Sequence, residues 1–71
     1  SYVSDEINKR MARPYECIKA MKLAKSAIPR DGAEVDIEAV YAMISVLVDS
    51  TECALNDSTD DLIKFMSSWE D

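Results

Sequence analysis

Along residues 37–56 the polar positions Glu38, Ser45, Asp49, Glu52 and Asn56 recur at spacings of seven, four, three and four. Positions spaced in this way form one narrow stripe on a helix and no stripe on a strand. The rest of the circumference is apolar. Ile37, Val40, Ile44, Leu47, Thr51 and Leu55 lie on one side, and Met43, Val46 and Cys53 on another. From Val40 to Val48 only Ser45 interrupts the apolar run. The segment holds no Gly or Pro and is too long for a buried strand, so the pattern predicts a helix over Ile37–Leu55. A helix apolar over most of its surface belongs in the middle of a bundle.

Residues 14–28 repeat every three to four positions. Ile18, Met21, Ala24 and Ile28 are expected to face inward with Cys17, Ala20 and Leu23 beside them, and Glu16, Lys19, Lys22 and Ser26 outward. Pro14 suits a first helical turn, where its missing N–H costs nothing, and Pro29 stops the helix. Before it, Ser4 followed by Asp5 and Glu6 predicts a capped start. A short helix should then end near Ala12, with Ile7 and Met11 on its inner face and residues 1–4 frayed. One kinked helix from Asp5 to Ile28 keeps the same apolar phase and is the alternative. Arg30-Asp31-Gly32 reads as a turn, and Asp36, or Asp31 with Glu34, as the cap of the central helix.

After Leu55 comes Asn56-Asp57-Ser58-Thr59-Asp60-Asp61, six residues that prefer caps and turns to helix interiors. Ser58 with Asp61 has the form of a capping box. These residues predict a break and a last helix beginning near Thr59, with Leu62, Phe65, Met66 and Trp69 on its apolar face. Leu55, Thr59, Leu62, Met66 and Trp69 also stay in phase with the preceding helix, so one long helix to Trp69 remains the alternative.

Residues 1–71 make one small helical domain. A chain of this size buries only about 60% of its unfolded surface and is marginal without a staple or a partner. Its net charge of −6 conceals an asymmetry. Residues 1–30 carry seven bases against three acids, and residues 31–71 carry eleven acids against Lys64 alone. The two parts are therefore expected to pack on each other, within one chain or between two. The acidic total speaks against non-specific nucleic-acid binding, which runs on phosphate neutralisation.

Much chemistry lacks its parts. The chain has no histidine, which removes the Ser-His-Asp and Cys-His arrangements and most zinc sites. A single glycine gives no phosphate-cradling loop. Asp57-Ser58-Thr59-Asp60-Asp61 resembles a calcium loop, but Leu62 stands where glycine is needed and Ser68 where the bidentate Glu belongs. Glu38, Asp49 and Glu52 share a helical stripe without the Glu-x-x-His pairs of a bundle metal site. Cys17 and Cys53 read as two small hydrophobes in a reducing cytosol, with a bridge between the two long helices as the alternative. No segment can span a bilayer, since the longest unbroken apolar run, which ends at Ile44, is far too short, and no secretory leader is read in the sequence. Neither a cofactor nor a metal is expected.

The fold these observations predict is all-α: an antiparallel helical hairpin with a short helix at each end, assembling as a dimeric four-helix-type bundle through Val40, Met43, Ile44 and Leu47. In layout the chain is similar to the helical-hairpin regulators of bacteria and phages, which include the Rop family of plasmid RNA-binding regulators. The likeness is one of layout, and no residue role is carried over from it. The expected function is that of a non-enzymatic, cytoplasmic, small acidic regulator or adaptor, of a kind encoded by phages or mobile elements. It would act by binding another protein as well as itself. Phe65, Met66 and Trp69, with Lys19 and Lys22, are the candidate partner-binding residues. The alternative is a nucleic-acid-binding regulator using the basic face of residues 13–30.

Overall fold

A computed structural model describes residues 1–31 and 33–69. All regular structure among them is helical, in three elements: α1 (Tyr2–Arg10), α2 (Ala12–Ala27) and α3 (Ile37–Ser67).

Asp36 caps α3 as its sequence suggests, its carboxylate accepting the Ala39 N–H at 3.1 Å. The helix then runs unbroken for 31 residues. The predicted break over Asn56–Asp61 and the separate helix from Thr59 are absent, and the long-helix alternative is the one observed. The reason lies in what the cap-forming side chains touch. Such residues weaken a helix interior by bonding to nearby backbone, and here they are engaged elsewhere. Ser58 Oγ donates to the Arg10 carbonyl at 2.7 Å. Asp57 accepts from Arg13 Nη1 at 2.9 Å, and Asp61 lies 3.6 Å from Arg10 Nε.

Proline sets the junction between α1 and α2. In a continuous helix the residue-14 N–H would bond the Arg10 carbonyl, but Pro14 has none and its ring crowds that oxygen. The helix jogs at Met11 (φ −94°, ψ 6°). The bonds on either side survive: the Met11 N–H reaches the Ile7 carbonyl at 3.0 Å, and the Tyr15 N–H reaches that of Met11 at 3.2 Å. The Ser58 hydroxyl thus fills the vacancy that Pro14 creates. At the start of α1 the cap is Ser1, accepting the Ser4 N–H at 3.2 Å, so the expected cap at Ser4 and fraying of residues 1–4 do not hold. The earlier start places the Tyr2 ring edge-on to Phe65, 6.4 Å between centroids. At the other end, Pro29 forces Ile28 into extended backbone and stops α2. The Asp31 carboxylate then accepts the Ala33 N–H at 3.2 Å, forming an Asx turn. The remainder of the expected Arg30–Gly32 turn, at Gly32, lies outside the described residues.

Low numbers on α1 and α2 meet high numbers on α3. Arg10 is level with Asp61, Arg13 with Asp57, and Ala24 with Leu47. Pro14, Cys17, Met21, Ala24 and Ile28 turn toward Val40, Met43, Leu47, Thr51, Ala54 and Ser58. Among the described residues closure is complete only at Ala54, which is 1% exposed, and at Pro14 and Ser58 beside it. Ile18 and Leu23, expected inward, are exposed, as are Ile7, Ile37 and Leu55. The molecule measures 58 × 22 × 11 Å with a radius of gyration of 16.8 Å. A compact chain of this length would have a radius near 11 Å. The structure is a layer one helix thick, and a single layer has no interior.

Replacing Ser58 by Ala leaves the Arg10 carbonyl without a partner and is expected to lower stability by about 1–3 kcal/mol. Replacing Pro14 by Ala supplies an N–H for the same oxygen. Urea midpoints should therefore show Ser58→Ala costing much less in the Pro14→Ala background, a coupling read directly from the double-mutant cycle.

Candidate interaction surface

The seam between α2 and α3 divides the apolar residues into two faces. Leu47 and Ala24 border both. On one side lies a trough of Ala20, Leu23, Ala27, Ala42 and Val46. On the other lie Met21, Lys25, Ile28, Ile44 and Val48, and helical spacing extends that face one turn to Ile18 and Tyr41 and two turns to Leu55. Tyr41 is 74% exposed, and Ile37 at the end of the row 76%. Monomeric soluble proteins leave few contiguous apolar patches of this kind uncovered. Of the residues expected to mediate self-association, Val40, Met43 and Leu47 are half-buried in the seam, while Ile44 is exposed.

At the far end Arg10 organises a second cluster. Its guanidinium bonds the Glu6 carboxylate and carbonyl, one turn back on α1. The same group lies over the Phe65 ring, 4.2 Å from its centroid. Nε has no hydrogen-bond partner, and its contact with Asp61 is ionic only. Trp69 stands edge-on to Phe65 at 5.1 Å. Phe65 is thereby half-buried within the chain, whereas Met66 and Trp69 remain 54% and 55% exposed. The hydrogen bond from Arg10, reinforced by its charge, holds the Glu6 carboxyl below its ordinary range, and the same bond raises the Arg10 value. The bond to Asp57 raises that of Arg13, with Cys53 contributing.

The remaining basic residues are placed differently. Among the described residues Lys19, Lys22 and Lys25 form no ion pair. Lys22, Lys25 and Arg30 edge a polar hollow with Ser26 and Ile28. Among the described residues the expected pairing of basic and acidic parts is thus made by Arg10 and Arg13 alone. The carboxylates of Glu38, Asp49 and Glu52 are exposed. No three metal-ligating side chains come together among the described residues. Cys17, half-buried in the seam, and Cys53, exposed, are free thiols. Asp57–Asp61, which resembles a calcium loop in sequence, is helical throughout.

Sequence reasoning overlooked Arg10, Asp57 and Asp61 as a set. Numbering alone does not find them: two helices folded back with level ends about residues 28–36 would set residue 10 beside residue 54, and the structure brings it to Asp61, two turns further along α3. Comparison with known proteins returns no match: no protein family, no curated protein and no solved structure is similar to this chain.

The lowered Glu6 value fixes a sign. A carboxyl depressed in the folded state contributes stability that is complete above the unfolded value, near 4.5, and lost as the pH falls through the lower folded one. In that window α1 should loosen from α3. Trp69 fluorescence followed against pH is expected to show a step that Glu6→Gln abolishes.

Proposed function

We propose that this chain is a non-enzymatic protein-interaction module: an antiparallel helical hairpin that self-associates into a dimeric four-helix-type bundle and serves as a small acidic regulator or adaptor. One observation carries the reading. Among the described residues the only fully closed apolar side chains are Ala54 and Pro14, while Ile18, Leu23, Ile37, Tyr41, Ile44, Val46, Val48 and Leu55 all lie open. A folded monomer of 8.0 kDa exposes about 4,450 Å², and this chain exposes 5765 Å². The excess, about 1,300 Å², exceeds the roughly 800 Å² per partner of a standard interface. Stability and association are then one process, and the chain is expected to fold as it binds.

Met66 and Trp69 are the residues left for a different protein. They stand at the end away from the α2–α3 connection, exposed and adjacent to the Arg10–Phe65 cluster that fixes them. Tryptophan is enriched among the residues that dominate binding energy. A second reading, nucleic-acid binding, is favoured by the hollow of Lys22, Lys25 and Arg30, whose lysines pair with no carboxylate among the described residues. The net charge of −6 weighs against it. Salt-dependent retention on immobilised RNA or DNA separates the two readings.

Sedimentation equilibrium at micromolar concentration is expected to give at least twice the 8.0 kDa chain mass. A value of 8.0 kDa at every concentration overturns the proposal. Ile44→Asp places a charge on the exposed apolar face and should dissociate the assembly, with helicity by circular dichroism falling as dissociation proceeds.

A further inference from the structure

Resting on the self-association proposed above, we infer that the occupant of the Ile18–Ile44–Val48–Leu55 face is a second copy of this chain, related by a two-fold axis parallel to the helices, so that α2 of each protomer lies over α3 of the other. One observation chooses the face: it carries the bulkier side chains, with Tyr41 and Ile37 at its end, whereas half the residues lining the opposite trough are alanines. Its two rims also differ in charge. Lys22 lies one turn from Ile18 on the α2 rim, and Glu52 one turn from Val48 on the α3 rim, both exposed. Within one chain these rims are the opposite long edges of the layer and cannot meet, which is why the lysines find no acid.

Symmetry then chooses the arrangement. Stacking two such layers about an axis across the helices sets α2 over α2 and α3 over α3, lysine rim on lysine rim and acid rim on acid rim. Stacking them about an axis along the helices sets the basic rim of each over the acidic rim of its partner. Like charges directly opposed are unfavourable, and opposite ones steer and register association. Rotation about that axis moves nothing along it, so the levels of the single chain carry over. Arg13 beside Asp57 and Ala24 beside Leu47 put Lys22 level with Asp49 and Lys19 level with Glu52. The Lys22 ammonium therefore reaches the Asp49 and Glu52 carboxylates of the second copy. Lys25 lines the face itself. The surface excess estimated above is sufficient for one such contact per chain.

The test uses the full chain with Cys17 and Cys53 replaced by Ala. Two single-cysteine variants, Lys22→Cys and Glu52→Cys, both at exposed positions, are mixed and treated with a short bismaleimide linker. A covalent dimer is expected in the mixture and not in either variant alone. Lys22→Glu and Glu52→Lys should each weaken association about fivefold at low salt, and the two together should restore it. A dimer by sedimentation that yields no mixed cross-link, or one in which Lys22→Cys links to itself, overturns this arrangement and leaves self-association standing. Monomer at every concentration removes both.

Discussion

Two helices laid side by side touch along one line, and in this chain that line closes only where small residues let the backbones approach. Ala54 and Ser58 of α3 and Pro14 of α2 are the buried set. None is large, so the closed part of the seam contributes little transfer free energy, which scales with the apolar area removed from water. The large apolar side chains flank the seam on both sides of a layer 11 Å thick. Ordering each residue costs about 1–2 kcal/mol of backbone entropy, and so small a buried set does not offset that over 71 residues. The missing area is present on the molecule, facing outward, and the functional proposals follow from where it lies.

Charge is distributed to suit the same layer. At one end α2 and α3 are tied covalently through residues 28–36, while the other end has no covalent tie. There Arg10 and Arg13 reach Asp61, Asp57 and the Phe65 ring, and the Ser58 hydroxyl reaches the Arg10 carbonyl. Arginine suits this place because its planar fork bonds a carboxylate and stacks on an aromatic face at once. Lys19 and Lys22, whose ammonium groups are more strongly hydrated, stand on the outer rim and pair with no acid among the described residues. The basic first half of the sequence thus serves two purposes: its arginines close the layer, and its lysines remain for contacts beyond it.

Much of this was legible in the sequence. Periodicity located the helices, and Asp36 and Pro29 marked two of their ends. These features are local: a cap, a missing N–H and a 3.6-residue repeat act within a turn or two of the residue that carries them. The absence of histidine and of a glycine-rich loop narrowed the chemistry in the same way, since composition needs no coordinates.

What only the tertiary structure decided is where local preference gives way. Asn56–Asp61 has the residues of a break, yet α3 passes through it because Asp57, Ser58 and Asp61 bond to side chains and backbone more than forty residues distant. Ser4 has the residues of a cap around it, yet the helix begins a turn earlier because Tyr2 finds Phe65. Ile18 and Leu23 carry the pattern of a core, yet they are exposed, because one neighbouring helix covers only one narrow side of another. Periodicity states which side chains share a face. How many neighbours arrive to cover that face is a property of the assembled chain, and the sequence pattern is the same whether one helix comes or three.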